Sequence, residues 1–137
     1  MVLAESMRLY PPVWTVGRMA KADTRIYNYE IPKNAVCLMS PYVMHRHPRY
    51  YPEPEKFDPE RFTPEAKQDR PRFAYFPFGG GPRVCIGERF AWMEGVLVLA
   101  TLAQRWRFNL APGQKIETHP QITLRPRSGV KMMLRPA

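Results

Sequence analysis

The stretch Phe78-Gly79-Gly80-Gly81-Pro82-Arg83-Val84-Cys85-Ile86-Gly87 decides how this chain is read, because it sets a cysteine between a glycine-rich loop and a long apolar segment. Behind it, Ile86, Phe90, Met93, Leu97 and Ala100 recur at three- and four-residue spacing, which predicts one long helix from about Ile86 to Trp106. Pro112-Gly113 is expected to end it. A cysteine at such a helix start meets free backbone N–H groups and the positive end of the helix dipole, and both favour thiolate over thiol. Arg83, two residues away, adds to the same bias. Three adjacent glycines free the backbone to take φ > 0 and to approach a flat ligand with no Cβ in the way. Gly87 is expected to do the same one turn later.

Working outward, Met1 to Tyr10 reads as helix from its Leu, Ala, Glu, Met and Arg content, with Pro11-Pro12 stopping it. No Ser, Thr, Asp or Asn precedes its first turn, so the chain is expected to start inside a truncated helix. From Val13 to Ser40, β-branched and aromatic residues alternate with polar ones, as in Thr24-Arg25-Ile26-Tyr27-Asn28-Tyr29, which predicts two or three short antiparallel strands. Pro41 suits the first turn of a short helix reaching about His47. The proline-dense stretch from Pro48 to Pro77 has no sustained period and reads as one large loop. Its aromatic residues, Tyr50 and Tyr51 through Phe76, argue for order rather than a disordered linker. The tail from Ile116 to Leu134 reads as a strand, a turn at Arg127-Ser128-Gly129 and a second strand.

With 137 residues and 45% hydrophobic content, the chain is long enough for one core and one domain. Its 21 Lys plus Arg exceed 12 Asp plus Glu by nine, so its surface should be basic and able to meet an acidic partner. The charges are interleaved, with no run of five or more of one sign, which argues against nucleic-acid binding. The longest apolar run, Val96 to Ala103, is far short of the ~20 residues that span a bilayer, so no membrane anchor is expected within these residues. Cys37 and Cys85 lack paired spacing, and no secretory signal precedes them, so a reducing cytoplasm is the simpler location.

The cysteine segment resembles the haem-binding signature of the cytochrome P450 family, Phe-x-x-Gly-x-Arg-x-Cys-x-Gly, with Phe78, Gly81, Arg83, Cys85 and Gly87 filling every specified position. Five fixed positions coincide by chance in a chain of this length with probability on the order of 10⁻⁵, given average residue usage. That disfavours the bland reading of Cys85 as an inert buried thiol beside a tight turn. The resemblance implies haem b, with the Cys85 thiolate as axial iron ligand, Arg83 pairing with a propionate and Phe78 packing beside the sulfur. Two further elements resemble the family's: Glu5-Ser6-Met7-Arg8 its Glu-x-x-Arg helix, and Pro59-Glu60-Arg61-Phe62 its Pro-Glu-Arg-Phe element. Together they imply a buried structural network of Glu5, Arg8 and Arg61. Arg18 stands where many members have a second propionate partner, though a strand-side Arg is as often solvated. The resemblance also brings Pro12-Val13-Trp14-Thr15-Val16 and the tail around Gln121-Ile122-Thr123 near the substrate pocket, Val13, Trp14, Thr15, Ile122 and Thr123 above all, while Trp14 fits ordinary core equally well.

By the same resemblance the fold is an α+β fragment of a mainly-α architecture: a truncated N-terminal helix, short antiparallel strands, a large Pro-rich loop and one long helix after the cysteine loop. Residues 1–137 are then a single partial domain, the haem-binding portion, with the oxygen-side helix falling before Met1. The implied activity is insertion of one oxygen atom of dioxygen into a small organic substrate, with electrons from a ferredoxin or flavoprotein docking on a basic proximal face. These residues alone are expected not to complete that reaction; the alternative is a non-catalytic remnant that binds haem weakly or not at all. His45 and His47 diverge on a short helix, so packing and hydrogen bonding, not zinc, are expected of them.

Overall fold

The computed structural model describes all 137 residues. Helix α1 spans Val2–Leu9 and closes where the Tyr10 N–H donates to the Ser6 carbonyl at 2.7 Å, just before the two prolines. Its N-cap, Met1, makes no side-chain capping bond. Strands β1 (Val16–Met19), β2 (Thr24–Ile26), β3 (Tyr29–Ile31) and β4 (Val36–Met39) follow, one more than the largest number expected from sequence. Strand β1 pairs antiparallel with β4, Arg18 opposite Cys37, and β2 with β3 form a hairpin inserted between them. Tyr27, at φ 52°, makes the hairpin turn. Helix α2 is a single turn, Pro41–Met44, capped by the Ser40 hydroxyl accepting from the Val43 N–H, and so shorter than the proline alone suggests.

The proline-dense stretch is ordered, but not by long elements. It holds a 3-10 turn at Pro59–Phe62, helix α3 at Pro64–Gln68 and a second 3-10 turn at Arg72–Ala74. Asp58 and Thr63 supply side-chain caps to the first two. Tyr51 is fully buried; its hydroxyl donates to the Ala74 carbonyl at 2.9 Å. Its ring lies between the guanidinium groups of Arg8, 5.1 Å from the centroid, and Arg70, at 4.8 Å. The ten buried residues of the chain run from Glu5 to Pro77, and all but Pro11, Pro41 and His45 lie in this stretch or in α1.

Helix α4 runs Glu88–Arg105, starting two residues later than its apolar period suggests, with Gly87 as N-cap. No residue of it is buried; Phe90, Met93 and Leu97 are each more than half exposed. The helix is not ended by Pro112-Gly113. It stops at Arg105, and Trp106–Leu110 leaves as strand β5. The tail also differs from expectation. Strands β6 (Thr118–Pro120) and β7 (Leu124–Pro126) form a tight hairpin whose turn is Gln121-Ile122-Thr123. Gly129 takes φ 71° just after a bend at Arg127 and Ser128, but the segment after it, β8 (Met132–Pro136), pairs with β5 and not with its neighbour. Gln114 enforces that route, its amide donating to the Gly129 carbonyl and accepting from the Lys131 N–H. No helix is long and apolar enough to cross a membrane.

Candidate functional site

A cavity of about 390 Å³ opens where the end of α1, strand β1 and the cysteine loop converge. Strand periodicity explains one wall: Val16 and Arg18, two apart on β1, face the same side and both line it. Val13, Pro77 and Phe78 continue the apolar lining, and Arg83 and Cys85 come from the loop. Cys85 is exposed and Cys37 half-buried, and both are free thiols. The loop itself is held by the Cys85 N–H donating to the Phe78 carbonyl at 3.0 Å and by Gly79 donating to Phe76 at 2.9 Å. Phe78 packs edge-on against Trp92 of α4, ring centroids 5.7 Å apart, which fixes the loop to the helix behind it.

Glycine is needed here for different reasons at different positions. Gly79 and Gly81 take φ 77° and 70°, backbone that side chains with a Cβ rarely adopt. Gly80 is extended, and a Cβ there would come within 2.5 Å of the Phe73 ring. Gly87 corrects the sequence expectation: its φ is −84°, and a Cβ there would sit in ordinary contact, 3.8 Å from the Cys85 sulfur. It is the first residue of the helix entry, where right-handed backbone is required and no positive φ arises.

Beneath the cavity, Glu5 and Arg8 form a fully buried bidentate pair, Nε to Oε2 at 2.7 Å and an Nη to Oε1 at 2.8 Å. The remaining Arg8 donors reach the carbonyls of His45, Pro54 and Lys56, so all five N–H groups are used. Glu5 also accepts from the Asp58 N–H at 2.8 Å. Arg61 joins them with its Nε 3.7 Å from Glu5, while its Nη donates to the Glu53 carbonyl. His45 is buried against Tyr75 and Phe76 and accepts the Phe76 N–H at Nε2, 2.9 Å away. Desolvation, with Arg8 and Arg46 adding repulsion, lowers its pKa to about 4. Burial pushes the hydroxyls of Tyr51 and Tyr75 up. His47 is exposed, its ring accepting from the Arg49 N–H.

The structure thus brings Val13, Arg18, Phe78, Arg83 and Cys85 together around one space and Glu5, Arg8 and Arg61 around another. Trp14 and Thr15 do not line the cavity. Trp14 donates from its indole to the Gln121 carbonyl at 2.7 Å, tying β1 to the β6–β7 turn, and Thr15 faces the Met39 carbonyl. Ile122 projects from that turn almost wholly exposed, and Thr123 accepts from Arg125. Met7 and Pro77 line the cavity without having been singled out, whereas Pro12 and Val16 belong to the segment that the resemblance brought near the substrate pocket and Gly79 to the three glycines of the loop.

The family model for cytochrome P450 matches residues 1–133. The chain belongs to the cytochrome P450 family. Among P450 relatives, cyclooctatin synthase of Streptomyces melanosporofaciens is 43% identical over 123 residues, which cover 90% of this chain and 27% of that protein. Putative cytochrome P450 132 of Mycobacterium tuberculosis is 43% identical over 131 residues, 96% of this chain and 28% of that one. The structure of retinoic acid-bound cyanobacterial CYP120A1 superposes with a TM-score of 0.93 at 38% identity, covering 99% of this chain and 32% of that structure. The P450 chain described here therefore spans little more than a quarter of the length of these curated relatives.

Proposed function

We propose that this chain forms the haem-binding part of a haem-thiolate monooxygenase, with Cys85 as the thiolate that would hold the iron of haem b. The observation that carries the reading is the single cavity in which the exposed Cys85 thiol, two arginines and an apolar wall meet. Haem is a flat apolar disc with two carboxylates on one edge, and the residues present fit it. Val13, Val16 and Phe78 offer apolar faces, Arg18 and Arg83 offer cations for the carboxylates, and the side-chain position of Gly81 faces open space. Bound there, haem would supply activation of dioxygen for insertion of one oxygen atom into an organic substrate. Cys85 would donate electron density towards the metal from the proximal side. Arg83 and Arg18 would orient the group by its edge, and Phe78 would shield the sulfur from water. Glu5, Arg8 and Arg61 would hold the loop in register from below. Val13 would border the substrate space, with Trp14, Thr15, Ile122 and Thr123 shaping the segments behind it. The excess of nine positive charges suits an acidic electron-donor protein on the proximal face.

The test is the reduced, carbon monoxide-bound difference spectrum of the haem-reconstituted chain, beside Cys85→Ser. A Soret band shifted far to the red that disappears in the variant is expected. An ordinary or absent band in the unaltered chain would overturn the ligation and favour a remnant that keeps the fold without holding the iron.

A further inference from the structure

A run of hydrogen bonds, joined covalently through His45, Phe76 and the Phe78–Gly79 peptide, links the buried ion pair to the cysteine. Arg8, clamped by Glu5, donates to the His45 carbonyl at 2.9 Å; the His45 Nε2 accepts from the Phe76 N–H at 2.9 Å. The Phe76 carbonyl accepts from Gly79, and the Phe78 carbonyl from Cys85. His45 is the one side chain in this run between the pair and the loop, and it is fully buried with its ring against both Tyr75 and Phe76. To accept at Nε2 the imidazole must be neutral with its proton on Nδ1, and the backbone of Met7 and Arg8 at the end of α1 lies within reach of the ring.

We propose that neutral His45 is a positioning residue for the metal ligand: by fixing the Phe76 amide it sets where the Phe78–Cys85 turn presents the thiol. Neighbouring contacts do not duplicate this. Tyr51 and Tyr75 reach the Ala74 and Ala4 carbonyls, so they hold the loop's approach through other atoms and leave the Phe76 N–H to His45 alone. A glutamine carbonyl can occupy the place of Nε2, whereas a phenylalanine keeps the ring volume and removes the acceptor. The inference rests on the reading of Cys85 as iron ligand only for its meaning, since the placement of the loop can be measured with or without haem.

The experiment compares amide hydrogen exchange in the full chain, unaltered and as His45→Phe and His45→Gln, with strands β5 and β8 as internal reference. Phenylalanine is expected to speed exchange at the Phe76 and Cys85 amides about tenfold or more and to leave the reference strands unchanged, with glutamine restoring most of the protection. Unchanged exchange at Cys85 in the phenylalanine variant, equal loss of protection in β5 and β8, or failure of glutamine to restore would each overturn the proposal. After haem reconstitution, the red-shifted carbon monoxide band should weaken in the phenylalanine variant and persist in the glutamine one. Absence of that band in the unaltered chain would remove the haem reading, while the exchange pattern still decides the role of His45.

Discussion

At the scale of single residues, the buried polar groups set the energetics. His45 titrates at about 4 in the folded chain against an ordinary 6.5, because burial penalises its charged form. Between those values the unfolded chain binds a proton that the native state refuses, so stability is fully present above pH 6.5 and is lost as pH falls towards 4. The loss is expected to reach about 3 kcal/mol, and denaturant unfolding of His45→Gln should show a flatter decline than the unaltered chain over that window. The Glu5–Arg8 pair has no access to water, so Glu5→Gln leaves a buried guanidinium unneutralised and should cost about 3–5 kcal/mol in the same assay. Removing Arg61, whose Nε lies 3.7 Å from Glu5 and makes no hydrogen bond, should cost roughly 1 kcal/mol. The resemblance named all three members of this network, and packing with hydrogen bonding was expected of His45, but not its partners. A lone histidine in His-Arg-His carries no sign of which carbonyl or amide it will meet.

Among the elements, the cysteine loop and the C-terminal sheet show how local pattern succeeds and fails. Gly81→Ala forces a Cβ into φ 70° backbone and should destabilise by about 1–2 kcal/mol, whereas Gly87→Ala should stay within about 0.5 kcal/mol, as measured by chemical unfolding. The motif alone suggested the same role for both glycines; only the backbone angle separates them. Helix α4 was legible from its three-and-four spacing, and its end to within one residue, but what ends it was not. Trp106, Phe108 and Leu110 alternate as a strand does, yet they follow the helix with no breaker between. What turns them into β5 is pairing with β8, more than twenty residues away. The same pairing removes β8 from the local hairpin that Arg127-Ser128-Gly129 suggests.

For the whole molecule, ten buried residues among 137 form a small core around Tyr51 and the ion pair, and α4 contributes none. The apolar faces of Phe90, Met93, Val96 and Leu97 are open to solvent. The chain by itself is therefore expected to self-associate, with sedimentation giving a mass that rises with concentration, and to bind an apolar dye that Leu97→Glu together with Val96→Lys would weaken. Sequence by itself determined the family, through the motif around Arg83 and Cys85, and the helix that follows the loop. Each of these rests on residue types at short fixed spacing, where backbone geometry is local. Tertiary structure alone decided that Met7 and Pro77 share a space with Cys85, that Trp14 braces a turn instead of lining the cavity, and that β8 returns to β5. Those facts depend on which distant segments meet, and nothing in the spacing of neighbours encodes that.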